Sequence, residues 1–238
     1  MLSSRFVLPA LFLGSLLLAC SGTDDGSIDD DTGSTDEMAV KGKTGPGFPG
    51  AYASPTIFRE GSTYHAYFAK QTIDGKHYHV PHATFDDTGK FKIHADALPH
   101  LGKHAKDDGV VWAPAAAKIG DHYMLYYAAD LEGTEQKKCI WRAHSDDPNG
   151  PFVDDYDGPI DCEPGSLWAI DPYLVQGNGG DWYLSARIDQ PGGINTIQIR
   201  KLGPGGQNYE SGSDWKVLTK NAPSSWEQPV LENAGLVY

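Results

Sequence analysis

The sequence predicts an all-β fold of the β-propeller type, and three observations support this prediction. The chain has 238 residues and is rich in Gly (28), Pro (16) and Tyr (12). Such a composition favours short strands joined by turns over long helices. One phrase that combines a proline, a glycine and a tyrosine-rich run occurs three times. Its copies lie about 60 residues apart, and short strands repeated at such an interval are typical of propeller blades.

The three copies of this phrase agree at two anchor points. They are ASPTIFREGSTYHAYFA, WAPAAAKIGDHYMLYYAA and IDPYLVQGNGGDWYLSAR. The residue before the proline is Ser54, Ala113 and Asp171 in turn, with spacings of 59 and 58. The glycine before the tyrosine-rich run is Gly61, Gly120 and Gly180, with spacings of 59 and 60. Each copy is therefore predicted to form two strands joined by a turn at the glycine.

The repeat also predicts how much of a propeller the chain contains. Propellers close with about four to eight blades. A fourth copy, projected 61 residues beyond Asp171, falls on Glu232 in LENAGLVY. The next glycine and strand would lie past Tyr238. We therefore expect about three blades plus one strand of a fourth, an incomplete propeller whose open sheet edges pair with other chains.

The residues before the prolines define a candidate site. Equivalent positions on the innermost strands of a propeller converge on its axis, so Ser54, Ala113, Asp171 and Glu232 are expected to surround a central pocket. Two of the four are carboxylates, and a pair of carboxylates across a pocket can split a glycosidic bond. The structural alternatives are a turn-forming Asp171 before proline, an exposed strand-end Glu232 and an ordinary turn serine at Ser54.

Four segments, taken in order, resemble the motifs of glycoside hydrolase family 43. YASPTIFREGSTYHAYFA is similar to its ADPxI opening, and VWAPAAAKIGDHYMLYYAA to its WAPD segment. The stretch from CIWRAHSDDPNGPF to AIDPYL resembles its segment with two cysteines and IDP, and VLENAGLVY its VEGPxL segment. The resemblance covers residues from about 48 to the end. It implies a five-bladed propeller that hydrolyses arabinose- and xylose-containing glycans with inversion.

The resemblance also implies roles for individual residues. Asp171 matches the aspartate that tunes and orients, and Glu232 matches the general acid, with Glu227 in WEQP as a nearby competitor. Ser54 occupies the position of the general base and is expected to contact the substrate. A neutral hydroxyl lacks the basicity to take a proton from water at neutral pH. The rival functions are therefore a non-catalytic glycan-binding lipoprotein and, more remotely, a gene remnant without a folded product.

Aromatic and histidine side chains suggest further contacts. Trp112 and Trp168 stand beside the marked positions and are predicted to form sugar-stacking walls, with core packing as the alternative. The histidines of KHYHVPHA (His77, His79 and His82) could form a metal-ligand cluster, but alternating histidines at a strand edge are more often solvent-facing. We therefore expect no metal and no cofactor.

The N-terminus predicts export and lipid anchoring. Residues 1–19 combine one early cation with a short apolar run, which is typical of a signal peptide. LLAC resembles the bacterial lipobox, which implies a lipidated Cys20. Residues 20–47 are polar and acidic and are predicted to be a disordered tether, followed by the hydrolase-like domain over residues 48–238. The expected location is the bacterial cell envelope; the alternative is an ordinary cleaved signal with a stray cysteine.

The net charge of the chain excludes some classes of binding partner. The formal net charge of −13 argues against nucleic acid and anionic membranes. The expected partner is a pentose-containing glycan. The protein is expected to contact the membrane only through its lipid, and the full-length protein is expected to be a monomer.

In an oxidising compartment a disulfide between Cys139 and Cys162 is expected, and the cysteine pair of the family implies the same bond. The alternative is two buried free thiols.

Overall fold

Thirteen β-strands and no helix occur in the part of the chain that the structure, a computed structural model, describes: residues 52–165, 167–222, 230–233 and 235–236. The strands are β1 (Thr56–Glu60), β2 (Thr63–Tyr67), β3 (Gln71–Ile73), β4 (Lys76–Tyr78), β5 (His82–Phe85), β6 (Phe91–Ile93), β7 (Val111–Ile119), β8 (His122–Asp130), β9 (Lys138–Ser145), β10 (Ala169–Gln176), β11 (Trp182–Gln190), β12 (Ile194–Lys201) and β13 (Lys216–Lys220).

These strands form three consecutive antiparallel blades. The first has the order β1-β2-β5-β6 and carries β3 and β4 as a side hairpin; the second is β7-β8-β9, and the third is β10-β11-β12-β13. The first strands of the blades, β1, β7 and β10, lie next to one another. The predicted all-β, propeller-type fold is therefore confirmed, with the repeat unit equal to one blade.

The hairpin that opens each blade turns at the predicted glycine. In the first two blades Gly61 and Gly120 begin two-residue loops, with φ of 59° and 66°. Glycine accepts this left-handed conformation without a Cβ clash, as tight hairpins require. In the third blade the loop is longer, because the flanking pair is Gln176 with Trp182, and Gly180 supplies the positive φ of 83°.

The second blade is buried on both sides. On β8, Leu125 and Tyr127 belong to the core shared with the first blade, whereas Met124 and Tyr126 belong to the core shared with the third. This alternation follows from the two-residue period of a strand. All four side chains are fully buried, and each such burial contributes roughly 1.5–3 kcal/mol. Stacking of neighbouring blades, and not any one sheet, thus supplies the core.

The three residues before the prolines lie outside the regular strand pairing, near the start of the first strand of each blade. The β7–β8 pairing shifts between Trp112 and Ala115, and the β10–β11 pairing shifts between Ile170 and Tyr173. Proline has no N–H for the ladder, so a bulge at this point is the expected accommodation. The first copy, at Ser54, lies just before β1. All three marked residues therefore stand at one end of the central strands.

A disulfide connects the second blade to the loop that follows it. Cys139, on β9 in the core beside the first blade, is bonded to Cys162, and their Cα atoms are 4.6 Å apart. A short bridge between Ile140 and Asp161 runs alongside. The bond thus fastens a long irregular connection to a buried strand.

Several sequence predictions fall on residues that the structure does not describe. They concern the signal peptide, the tether, the lipidation site Cys20, the start of the domain at residue 48 and the competing acid Glu227. Within the described ranges, no helix is long and apolar enough to cross a membrane.

Candidate functional site

The three copies of the repeated phrase meet at one cavity. It lies at the end of the central strands and has a volume of about 430 Å³. Its described lining consists of Ser54, Pro55, Thr56, Ala113, Pro114, Asp171, Pro172, Tyr173, Asn233 and Gly235. Each blade thus contributes its pre-proline residue and the proline itself. The predicted convergence of Ser54, Ala113 and Asp171 is what the geometry shows.

The same residues share an unusual backbone conformation. Ser54, Ala113 and Asp171 have φ of 48°, 44° and 54°. Non-glycine residues seldom adopt left-handed conformations, which cost roughly 1–3 kcal/mol each and cluster at functional sites. Three such residues at one cavity indicate that the fold holds this edge in a defined shape.

The fourth residue of the set is Asn233. It has a φ of 54° and lines the cavity, whereas the sequence projection placed Glu232 at this position. The register is corrected by one residue. Copy spacings in the repeat vary by a residue or more, so only the backbone conformation identifies the equivalent position.

Asp171 is a buried carboxylate in the wall of the cavity. Its exposed fraction is 8%, and its Oδ2 accepts a hydrogen bond from the Asn233 N–H at 3.1 Å. Burial raises the pKa of Asp171 to about 6, and the charge of Glu232 adds to the rise. The Asn233 hydrogen bond and the Arg187 charge act in the opposite direction on this pKa. Asp171 can therefore change protonation state near neutral pH.

Glu232 is held by a buried arginine on the third blade. Arg187 Nη1 donates to Glu232 Oε2 at 2.7 Å, while its Nε and Nη2 donate to the two carboxylate oxygens of Asp189 at 2.9 and 3.3 Å. The Arg187 side chain is 8% exposed and that of Glu232 is 44% exposed. Fork-like pairs of this kind fix orientation as well as charge. Glu232 thus occupies a defined place beside the cavity.

The two tryptophans stand near the cavity but outside its described lining. The rings of Trp112 and Trp168 are edge to face, with centroids 6.2 Å apart. Lys138 Nζ lies 4.8 Å from the Trp112 centroid and 4.5 Å from that of Trp168, and it donates to Asp130 Oδ1 at 2.8 Å. Both rings are half-buried. They therefore pack on a buried cation and retain exposed ring area.

The histidines of KHYHVPHA do not act together. His77 is exposed and forms a hydrogen bond with the hydroxyl of Thr72, and His79 contacts the carboxylate of Asp96. His82 is fully buried, so the solvent-facing placement expected for it is wrong. The reason is that β5 is an inner strand of the first blade, where His82 lies opposite Tyr67 and its ring packs against those of Tyr67 and His94. No group of three or more potential metal ligands occurs in the described ranges.

The described lining of the cavity offers one carboxylate and three side chains with a hydroxyl, the third being Tyr173. Asp171 is the sole carboxylate in the described lining, and Ser54 and Thr56 stand on the wall contributed by the first blade. With Glu232 adjacent, the arrangement can orient a sugar and deliver a proton. The described lining supplies no second carboxylate that could take a proton from water.

Sequence reasoning missed Arg187, Lys138 and Asn233. A signal existed for Arg187, which is a cation among the mostly apolar residues of YLSARI, whereas Lys138 stands beside other cations in KKCIWR at the start of β9. Such residues are almost always paired when buried. Their partners, Glu232 and Asp130, lie far along the chain or on another strand, so the sequence could not identify them.

Comparison with known proteins identifies relatives of this architecture. The model of the glycosyl hydrolases family 43 matches residues 44–235. No curated protein matched the chain significantly.

Three solved structures share the fold. An endo-arabinase from Bacteroides thetaiotaomicron is 19% identical, with a TM-score of 0.57, and the match covers 70% of this chain and 55% of that one. An α-L-arabinanase from Cellvibrio cellulosa is 18% identical, with a TM-score of 0.56, and the match covers 77% of this chain and 58% of that one. A putative exo-β-1,3-galactanase from Bifidobacterium bifidum is 18% identical, with a TM-score of 0.52, and the match covers 66% of this chain and 50% of that one. The chain spans about half the length of these structures.

Proposed function

Because the chain belongs to glycosyl hydrolases family 43, we propose that it acts on O-glycosidic bonds in arabinose- or xylose-containing glycans. The observation that carries this proposal is the cavity whose wall holds Asp171 hydrogen-bonded to Asn233, with the preceding residue, Glu232, held by Arg187. Of the three solved structures compared above, two are named as an endo-arabinase and an α-L-arabinanase and one as a putative exo-β-1,3-galactanase, and the two arabinan-acting enzymes support a pentose-based glycan.

The proposed chemistry is an inverting, single-displacement hydrolysis. In its protonated form Glu232 carries the proton on Oε1 and transfers it to the departing glycosidic oxygen, which leaves the carboxylate paired with Arg187 through Oε2. Asp171 positions this acid, because its hydrogen bond to the N–H of Asn233 ties the segment that carries Glu232 to the third blade. The partly exposed Trp112 and Trp168 offer ring area on which apolar sugar faces pack.

Water activation is the weak step in this mechanism. An inverting site places its base roughly 6.5–9.5 Å from the acid, with the water between them. Ser54 stands on the cavity wall where the family motif has an aspartate. A hydroxyl there can hydrogen-bond the sugar or the water, but it cannot accept the proton that the attack releases. We infer that hydrolysis by this chain is slow.

Restoring the carboxylate tests the proposal. Ser54→Asp is assayed on aryl arabinosides and xylosides, with Ser62→Asp, in the exposed β1–β2 turn, as the matched control. We expect kcat to rise by ~10²–10⁴-fold in Ser54→Asp only, the range that general-base catalysis supplies. Adding Glu232→Gln should abolish the gain. A fully active unmodified chain that Ser54→Asp leaves unchanged would show that the base lies elsewhere.

Glycan binding without turnover is the second candidate function, and Ser54 is the observation that favours it. Small anions such as formate can replace a missing carboxylate in a site that is otherwise assembled. Acceleration of the unmodified chain by formate, lost in Ser54→Asp, supports an impaired enzyme. Tight binding of arabinan or xylan with no turnover under any of these conditions supports the binding protein.

We also propose that the protein is a lipoprotein of the bacterial envelope, anchored at Cys20. The support is the apolar run that ends in LLAC and the acidic stretch that follows. Metabolic labelling with a fatty acid should mark the expressed protein, and Cys20→Ala should remove the label. Labelling that survives Cys20→Ala would refute the anchor.

A further inference from the structure

A separate cavity, called here the lysine cavity, lies where the first blade meets the start of β7. Its volume is about 320 Å³, and its described lining consists of Lys70, Lys106, Asp108, Gly109, Val110, Val111, Trp112 and Asp130. Trp112 lines this cavity and the next residue, Ala113, lines the one that holds Asp171. We propose that the lysine cavity binds a carboxylate, carried by a uronic acid branch of the glycan. This inference rests on the function proposed above.

Lys70 is a half-buried cation with neutral partners. Its Nζ donates to the backbone carbonyl oxygens of Asp107 and Gly109, at 2.9 and 2.8 Å. An ammonium group has three N–H donors, so one donor remains for a ligand. Because both described acceptors are uncharged, the positive charge of Lys70 is not compensated by them. This combination of a spare donor and a spare charge suits an anion.

The two carboxylates in the lining are already engaged. Asp130 Oδ1 accepts from Lys138 Nζ at 2.8 Å, and its Oδ2 accepts from a backbone N–H at 3.0 Å. Asp108 is largely exposed and lies 3.6 Å from Lys106 Nζ, a surface pair of the kind that contributes little. With Asp130 neutralised and Asp108 paired, the charge of Lys70 is left over. A carboxylate would form a charge-assisted hydrogen bond with it, which a neutral hydroxyl does not.

A tight turn fixes the surroundings of Lys70 before any ligand binds. The Gly109 N–H donates to the Lys106 carbonyl at 3.0 Å, and the Lys106 N–H donates to the Asp130 carbonyl at 2.8 Å. A Cβ atom at Gly109 would lie 2.7 Å from Asp130 Oδ2, so glycine permits the close approach. The carbonyl of Gly109 then holds the ammonium of Lys70 in place. Ordering the side chain in advance lowers the entropic cost of binding.

A pair of ligands that differ in one carboxylate tests the site. Calorimetric titrations of the unmodified chain compare a neutral xylo-oligosaccharide with the same oligosaccharide carrying one glucuronic acid branch, with chromatography to show that both stay intact. The salt concentration is about 0.15 M, at which repulsion by the acidic chain is screened beyond roughly 8 Å. We expect the Kd of the acidic ligand to be lower by about tenfold or more, as one charge-assisted hydrogen bond allows.

Free glucuronate distinguishes the two sources of a carboxylate. It offers the same group without the glycan, so we expect it to bind far more weakly than the acidic oligosaccharide. Equal affinity for the two would assign the lysine cavity to a free acid and overturn the branch.

Matched variants connect the preference to the lysine cavity. Lys70→Gln should abolish the preference and keep the affinity for the neutral ligand, with thermal unfolding measured to show that it is folded. Lys106→Gln changes an exposed side chain of the lining and should reduce the preference without affecting the fold. Lys216→Gln, on the exposed strand β13 of the third blade, removes the same charge elsewhere and should leave the preference unchanged.

The outcomes separate this site from the proposed function. Equal affinity for the neutral and acidic ligands, or a preference that survives Lys70→Gln or is unchanged in Lys106→Gln, overturns the carboxylate site and leaves the proposed function. Failure of both xylo-oligosaccharides while arabino-oligosaccharides bind has the same consequence. Failure of every pentose ligand to bind overturns both.

Discussion

Asp171 Oδ2 accepts a hydrogen bond from the backbone N–H of Asn233, 62 residues further along the chain. Both residues have the left-handed φ of 54° and line the same cavity. The bond ties the segment that carries Glu232 to the third blade, and it does so through a carboxylate whose burial raises its pKa to about 6. Positioning of the proposed acid, Glu232, and the titration of the cavity thus depend on one side chain.

Asp171→Asn should stabilise the protein at neutral pH. An unfolded aspartate has a pKa of about 3.9, so the raised native pKa of about 6 means that stability is lost as pH rises from about 4 to 6 and stays lost above. Asparagine keeps an acceptor for the Asn233 N–H and carries no charge. We expect a gain of roughly 1–3 kcal/mol at pH 7.5 and almost none at pH 4, measured by denaturant unfolding.

The exposed Asp121→Asn is the control for this experiment and should change little at either pH. An equal effect of Asp171→Asn at both values would mean that desolvation of the carboxylate does not control its pKa.

Arg187→Gln should raise the pH at which Asp171 titrates, in addition to its effect on stability. The Arg187 charge lowers the pKa of Asp171, so its removal should move to higher pH the range over which ionisation of Asp171 lowers the free energy of unfolding. Denaturant unfolding is measured as a function of pH for both proteins. Arg187→Lys keeps the charge and should restore the original range. Lower stability with an unshifted pH dependence would make Arg187 merely structural.

The first blade should be sensitive to acid because of a histidine ladder. His65, His82 and His94 stack across β2, β5 and the segment after β6, with centroid distances of 5.3 and 4.8 Å. Burial, reinforced by the charges of His94 and His65, lowers the pKa of His82 to about 3. An unfolded histidine titrates near 6.5, so stability is present above that pH and is lost as pH falls towards 3.

His82→Gln should therefore remove roughly 2–3 kcal/mol of the stability difference between pH 7.5 and pH 4.5, whatever its effect at neutral pH. The exposed His100→Gln serves as the control. An unchanged difference in the His82→Gln variant would show that the ladder accepts a proton without loss of stability.

The disulfide should be present in exported protein. Alkylation without reduction, followed by mass analysis, should leave Cys139 and Cys162 unmodified. Replacing both by serine should lower the free energy of unfolding by about 3 kcal/mol, since the bond closes a loop with a sequence separation of 23. Alkylation of both thiols would contradict the bond.

The repeat was sufficient to predict the blades, their turns and the convergence of Ser54, Ala113 and Asp171. A strand has a period of two and a hairpin needs a residue with positive φ, so the glycine and the tyrosine-rich run carry this information locally. The serine that stands where the family resemblance implies a general base, Ser54, is likewise visible in the sequence. The strands and turns depend on neighbours within one blade, and the convergence follows because three equivalent units stack side by side.

Tertiary structure decided the rest of the site. The exchange of Glu232 for Asn233 at the fourth position, the pairing of Arg187 with Glu232 and the burial of His82 all depend on contacts between residues distant in sequence. So does the raised pKa of Asp171, because it arises from desolvation by the surrounding blades. Spacing can bring a residue to the right end of a strand, but only packing determines which atoms it meets and how much water it keeps.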